Sequence, residues 1–364
     1  NLFFKKQNMK KKSLSAKKIT VNNLDYKKIL KDKKIFEIFK KFAKNIEDLK
    51  ISGKIAVSIS GGPDSLALCF LISCYKVKAD NKILPFFYLI DHGLRKNSNK
   101  EAQLVKKQLR VKKINLKILK WIGKKPKSNI QSLARQKRYS LLFNECKKYN
   151  IKTVITGHHQ DDFYETFFIR LLRGSGIEGL SSFSETQKIF WFEGNPIVVA
   201  RPLLSLNKQD LVYIAKQVFN FYVNDPSNKM EKFQRVRIRN LILNLKTQGL
   251  DFKKLKLTLD NLSSTNKTIN QIVNKNISEN VIIRGKSYLI GPNFFIRPDE
   301  IVFRSLSILI KNISERDYPP RGKKLINLVQ NLKRKGYYKA TLGGTIIEKL
   351  HKTVLLTKEK TKKR

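Results

Sequence analysis

Short runs rich in β-branched and aromatic residues alternate with stretches of helical period from about Lys54 onward. This alternation predicts an α/β fold with a doubly wound parallel sheet. Five runs read as strands, at 55–60 (IAVSIS), 84–91 (LPFFYLID), 114–121, 153–156 with its neighbours, and 196–200, and each stops at a polar or glycine-containing turn. Helical period falls between them over 65–75, after Asn99, over 128–149 with Ser128 as a candidate N-cap, over 161–173, and after Asn207.

Beyond Asp225-Pro226-Ser227-Asn228 the alternation stops. A basic helical segment from Phe233 to about Leu245 leads into a region with helices expected around 255–273, 298–313 and 323–335, and short strands at 281–289, 340–348 and 353–357. A boundary near 247–251 divides the chain into a basic extension over 1–50, an α/β domain over 51–248 and a smaller α+β region over 249–364.

Charge adds a partner to this picture. Lys and Arg number 76 against 28 Asp and Glu, a formal net charge of +48. Lysine, asparagine and isoleucine are abundant from end to end, so residue bias explains part of the excess. Even so, a fold this basic repels itself, and a polyanion that releases counterions on binding is the natural complement, ahead of a membrane surface. The longest apolar stretches, 66–72 and 84–90, fall far short of the roughly 20 residues that span a bilayer. The first 24 residues carry no acid and no apolar signal core, and read as a solvated basic tail. Cys69, Cys74 and Cys146 form no C-x-x-C pair and have no histidine at metal-ligand spacing, which fits a reducing cytoplasm.

The chemistry concentrates at the strand ends. Ser60-Gly61-Gly62-Pro63-Asp64-Ser65 stands where the first strand turns into a helix, so backbone N–H groups and the helix N-terminus face the crevice at the carboxyl edge of the sheet. No G-K-[ST] follows, which excludes a Walker A loop. An ordinary glycine turn would account for Gly61-Gly62 alone, but not for the whole hexapeptide in this context. An acid such as Asp64 inside a phosphate cradle would repel its ligand unless a cation lies between, and this implies Mg2+. Asp91-His92-Gly93-Leu94-Arg95 and Gly157-His158-His159-Gln160-Asp161-Asp162 reach the same edge. Asp161 and Glu165, four apart, share a helical face, where a carboxylate could bind the metal or orient a reacting group, although acids at a helix start are also common caps.

These motifs, with Arg170-Leu171-Leu172-Arg173-Gly174-Ser175-Gly176 and Arg201-Pro202-Leu203-Leu204, resemble the tRNA(Ile)-lysidine synthetase family of N-type ATP pyrophosphatases, whose PP-loop domain is Rossmann-like. Asp225 to Asn228, Arg235-Val236-Arg237-Ile238-Arg239 and the late Thr341-Leu342-Gly343-Gly344 extend the likeness. The resemblance implies that ATP adenylates the wobble cytidine of the isoleucine tRNA with a CAU anticodon, and that free L-lysine then displaces AMP to give lysidine. It assigns ATP binding to Ser60, Gly61, Gly62, Pro63, Asp64 and Ser65 with His92 and Arg135, magnesium to Asp64 with either Asp161 or Asp162, and catalysis to Asp64 with Asp161 and Asp162. For Arg135 and its neighbour Arg138 a solvated helix face is the competing reading. Arg173, Arg201, Arg235, Arg237 and Arg239 are the expected tRNA contacts, and 249–364 a tRNA-binding region. A homodimer is open alongside the monomer. Many relatives have Gln where this chain has Phe163, which removes a polar group there.

Three rivals stand beside this reading. A tRNA thiolase of the same superfamily would use cysteines, which here sit at positions suited to packing. A catalytically decayed RNA-binding protein would not be expected to keep Ser60, Asp64, Asp161 and Asp162. A small-molecule ligase or amidotransferase leaves the basic C-terminal region unexplained.

Overall fold

The computed structural model describes residues 26–79, 82–95, 97–123, 125–126, 128, 130–181, 186–224, 234–285, 287–314, 320 and 322–359. The expected basic tail and the Asp225 to Asn228 motif lie outside the described residues. Two compact units emerge, Asn1–Arg173 with Glu185–Gln248, and Gly174–Ser184 with Gly249–Arg364.

The first unit runs α1 (Tyr26–Ile29), α2 (Lys33–Asp48), β1 (Gly53–Ile59), α3 (Pro63–Lys78), β2 (Ile83–Asp91), α4 (Ser98–Val111), β3 (Leu116–Lys120), α5 (Ile130–Lys148), β4 (Thr153–Ile155) and α6 (Gln160–Leu171). The chain then contributes α7 (Ile177–Ser181) to the second unit. It returns with β5 (Gln187–Phe192), β6 (Asn195–Ala200), α8 (Lys208–Phe219) and α9 (Gln234–Thr247). The strand order is β3-β2-β1-β4-β6-β5, and the first five of these are mutually parallel. Ile55, Val57 and Ile59 enter one core with α2, α3 and α8, while Ala56 enters the other with Leu142, Phe143 and Cys146 of α5. This alternation of β1 between two cores is the period-two geometry of a strand covered on both faces.

Two features depart from the expected sheet. A sixth strand, β5, pairs antiparallel with β6 at the edge through a hairpin whose turn residues Glu193 and Gly194 both have positive φ, 48° and 80°. Its Phe190 and Phe192 pack against Phe143, while Ile189 and Trp191 alternate outward. Lys33–Asp48, grouped by charge with the basic extension, is an amphipathic helix capped by Asp32, which accepts the Ile35 N–H at 3.0 Å. It buries Ile35, Ile38, Phe39, Phe42, Ala43 and Ile46 in the core of the first unit. Its lysines occupy the opposite face, which is why composition conceals the helix.

The second unit holds α10 (Phe252–Asn280), β7 (Val281–Arg284), β8 (Ser287–Ile290), α11 (Asp299–Ser314), α12 (Gly322–Lys333), β9 (Tyr338–Leu342), β10 (Thr345–Leu350) and β11 (Thr353–Lys358). Its sheet is antiparallel in the order β7-β8-β11-β10-β9, packed on α11 and α12 through Leu306, Leu309, Leu325 and Ile347. The runs expected as single strands over 281–289 and 340–348 are hairpins, turning at Gly285 and at Gly343-Gly344, all with positive φ. No helix among the described residues is long and apolar enough to cross a membrane.

Candidate active site

The turn between β1 and α3 is built by Gly61, whose φ is +83°. A Cβ there would lie 2.6 Å from Val105 Cγ2, so both the backbone angle and the space require glycine. Gly62 is different: its φ is −72°, and a Cβ would meet only Ser60 Oγ, at 3.6 Å. Gly62 caps α3 without a side-chain hydrogen bond, which leaves the first N–H groups of a sixteen-residue helix to an incoming anion. Inside the loop, Ser65 Oγ accepts the Ser60 N–H at 3.1 Å and donates to the Gly62 carbonyl at 3.0 Å. The loop after β4 presses on the same turn, because a Cβ on Gly157 would stand 3.5 Å from the backbone of Asp64 and Ser65.

Asp64 occupies the first turn of α3. One carboxylate oxygen, Oδ1, is buried with no hydrogen-bond partner, while Oδ2 lies 3.6 Å from His159 Nε2 and 3.8 Å from Lys208 Nζ. His159 is the buried N-cap of α6: its Nδ1 accepts the Asp161 N–H at 3.2 Å, and Asp162 Oδ2 accepts the His159 N–H at 3.2 Å. Burial opposes protonation of His159, but its bond to Asp64 and the charges of Asp162, Asp64 and Asp161 prevail and raise its pKa. Burial would raise the Asp162 carboxyl, yet the charges of His159, His158 and Arg235 together with the backbone bond hold it below its ordinary value. Asp162 is thus spent on the cap, whereas among the described residues no hydrogen bond or ion pair engages the Asp161 carboxylate.

A divalent cation fits this donor set. A buried carboxylate oxygen without a partner, Asp64 Oδ1, stands next to a phosphate cradle, and burying such an atom is costly unless a ligand completes it. No cluster of three or more His, Cys, Asp or Glu side chains able to hold a metal occurs among the described residues. Mg2+ does not need one, since it is commonly held by one or two carboxylates, water and substrate phosphates.

His92 lies beside the loop with Ser60, Asp91, Val105 and Val223 on a cavity of about 180 Å³. Both of its ring nitrogens are buried without a partner among the described residues, and burial, aided by the charges of Arg138 and Lys125, pushes its pKa down to about 4. It stands as neutral imidazole, edge-on to Trp121 at 6.2 Å.

The arginines divide into two groups. Arg135, 5.4 Å over the Tyr139 ring, and Arg235, Arg237 and Arg173 are exposed, with Arg173 donating to Gln234. Arg201 is buried at the end of β6, 5% exposed, and its charge helps to lower the pKa of His158. Arg239 is committed to the buried Glu165, with Nε 2.5 Å from Oε1 and Nη2 3.3 Å from Oε2. Of the expected tRNA contacts, Arg201 is therefore buried, and Arg239, its side chain 33% exposed, has two nitrogens engaged by Glu165. Phe163 is buried against Tyr164 and serves the core. Sequence reasoning did not single out Lys208, which reaches Asp64 from α8, nor the pairing of Glu165. Only the four-residue spacing from Asp161 hinted at the latter.

A glycine turn, an open helix N-terminus and carboxylates gathered at the carboxyl edge of a parallel sheet define a PP-loop nucleotide-binding domain, and a family profile described as a PP-loop domain matches residues 32–246. Curated relatives extend the match along the chain. The tRNA(Ile)-lysidine synthase of Orientia tsutsugamushi (strain Boryong) is 35% identical over 326 residues, covering 84% of this chain and 70% of that protein. That of Wolbachia pipientis wMel is 33% identical, covering 85% and 71%. This chain belongs to the tRNA(Ile)-lysidine synthase family. Among solved structures, the U34-tRNA thiolase of Methanococcus maripaludis shares the fold at a TM-score of 0.50 and 18% identity, over 59% of this chain and 74% of that one.

Proposed function

We propose that this chain uses ATP to adenylate the wobble cytidine of the CAU-anticodon isoleucine tRNA and then joins free L-lysine to it, releasing AMP and pyrophosphate. The observation that supports the reading is the orphaned Asp64 oxygen beside the uncapped N-terminus of α3, an arrangement suited to a cation and a phosphate in a chain of this family. The Gly61 turn and the α3 amides receive the phosphate tail, while the Ser60 hydroxyl donates to Ser65 Oγ and the Ser65 hydroxyl to the Gly62 carbonyl, which braces the loop. Asp64 and Asp161 hold Mg2+, which when bound offsets the negative charge of the phosphates. Asp162 and His159 keep Asp64 and Asp161 in register across the two helix starts. Arg135, Arg235 and Arg237 meet phosphate from ATP or tRNA, in a cytoplasmic setting.

Sulfur transfer finds no support among the cysteines. Cys69, Cys74 and Cys146 are all buried, and burial raises each thiol pKa, that of Cys146 to about 12, so none is available as a thiolate. The test is incubation with labelled lysine, ATP and unmodified isoleucine tRNA, with methionine tRNA as control. Label should enter the isoleucine species alone. Equal labelling of both, or of neither, would sink the proposal.

A further inference from the structure

Glu165 is a carboxylate that the assigned chemistry leaves unused. It is 3% exposed, one turn after Asp161 on the helix whose first turn carries the acids, and its bond to Arg239 joins that helix to α9, which packs against it. Arg239 stands one turn after Arg235 on α9, so the two share a face. An ion pair with only one partner buried is a poor source of net stability, because desolvation and side-chain ordering offset most of its attraction, whereas its two-point geometry fixes direction. We infer that the Glu165–Arg239 pair is a positioning device that fastens α9 to α6 and so holds Arg235 within reach of the first turn of α6.

The electrostatics agree with this placement. The charge of Arg235 reaches Arg138 of α5, and two nitrogens of Arg239 engage Glu165, one turn into α6, against which α9 packs. Arg239 therefore belongs to the inner site rather than to an open tRNA surface. Its role deepens the adenylation reading above and rests on it: Arg235 is the group that meets developing phosphate charge, and Glu165 and Arg239 act through it. Arg239→Lys tests the device, since it keeps the charge and loses the fork.

In lysidine formation by the full chain, Arg239→Lys should lower kcat about ten-fold, with KM for ATP within about two-fold, because misplacing one group mainly costs the transition state. In an Arg235→Ala background the same substitution should change kcat by less than about two-fold, since groups acting through one another are not additive. Unchanged kcat, or an equal loss in both backgrounds, overturns the inference. Glu165→Leu with Arg239→Met is the second variant: it should melt no lower than the wild type and still lose kcat, and full activity would equally overturn the inference. Tryptic cleavage after Arg235 and Arg237, followed by mass spectrometry, reads the fastening without the reaction. It should quicken about ten-fold in Arg239→Lys, and protection equal to wild type would refute the fastening even in a chain that made no lysidine.

Discussion

His159 ties Asp64 to the start of α6: its Nε2 stands 3.6 Å from Asp64 Oδ2 while its Nδ1 accepts the backbone N–H of Asp161 at 3.2 Å. Because Nδ1 is an acceptor, the ring proton sits on Nε2 and points between Asp64 and Asp162. One buried imidazole thus sets the spacing of two helix N-termini, and the phosphate loop and the acids behave as a unit.

Asp64→Asn should therefore strike chemistry rather than binding. The amide keeps the shape of the side chain but offers a weaker oxygen to a cation, and lysine incorporation should fall by about 100-fold or more. Binding of tRNA, followed by filter retention, should stay within about two-fold, since the basic surface is untouched. A variant that retains wild-type incorporation would refute the proposed role of Asp64 in holding a cation.

The two loop glycines should separate. Gly61→Ala places a Cβ 2.6 Å from Val105 Cγ2 in a left-handed backbone, and the conformation alone costs about 1–2 kcal/mol. It should lower the denaturation midpoint visibly. Gly62→Ala has room and a φ of −72°, so stability should change by less than about 1 kcal/mol while ATP affinity falls, because the methyl group intrudes where phosphate approaches. Equal effects in urea melts would contradict this division.

The PP-loop turn was legible because a single hexapeptide at a strand-to-helix junction carries both the Gly61 turn and the uncapped start of α3, and β1 announces itself by its apolar run. The bridging role of His159 was not, since it depends on α3 and α6 starting side by side, which spacing along the chain does not encode. Arg239 and Arg237 look alike in Arg235-Val236-Arg237-Ile238-Arg239, and only the packing of α9 turns one toward Glu165. The edge strand β5 was hidden for a further reason: its outward Ile189 and Trp191 and inward Phe190 and Phe192 blur the contrast on which alternation relies. In α2 the many lysines mask a helical apolar stripe.

That stripe has a measurable consequence. Phe42 is fully buried in the core of the PP-loop unit, and Phe42→Ala should cost about 3–5 kcal/mol in urea denaturation. Phe36, on the same helix but 42% exposed, should tolerate alanine within about 0.5 kcal/mol. If both were equally tolerated, Lys33–Asp48 would be a dispensable extension after all.

Arg237 is exposed on α9 and is proposed to meet tRNA phosphate. Arg237→Ala should weaken tRNA binding at low salt and reduce the slope of log affinity against log salt by about 1, the mark of one lost phosphate contact. Titration between low and moderate salt measures it, and an unchanged slope would exclude the contact.

The cysteines supply a pH dependence. Burial raises the thiol pKa of Cys69, Cys74 and Cys146, the last from its ordinary value of 9.0 to about 12. A raised folded pKa means that the unfolded chain releases its thiol protons first, so stability is intact below the ordinary thiol range and declines as pH climbs from about 9 toward 12. Replacing Cys146 by alanine should flatten that decline at some cost in packing. Native protein at neutral pH should leave a thiol reagent unreacted, and denaturant should expose all three cysteines. A thiol that reacted at once in the native state would reopen sulfur chemistry for this chain.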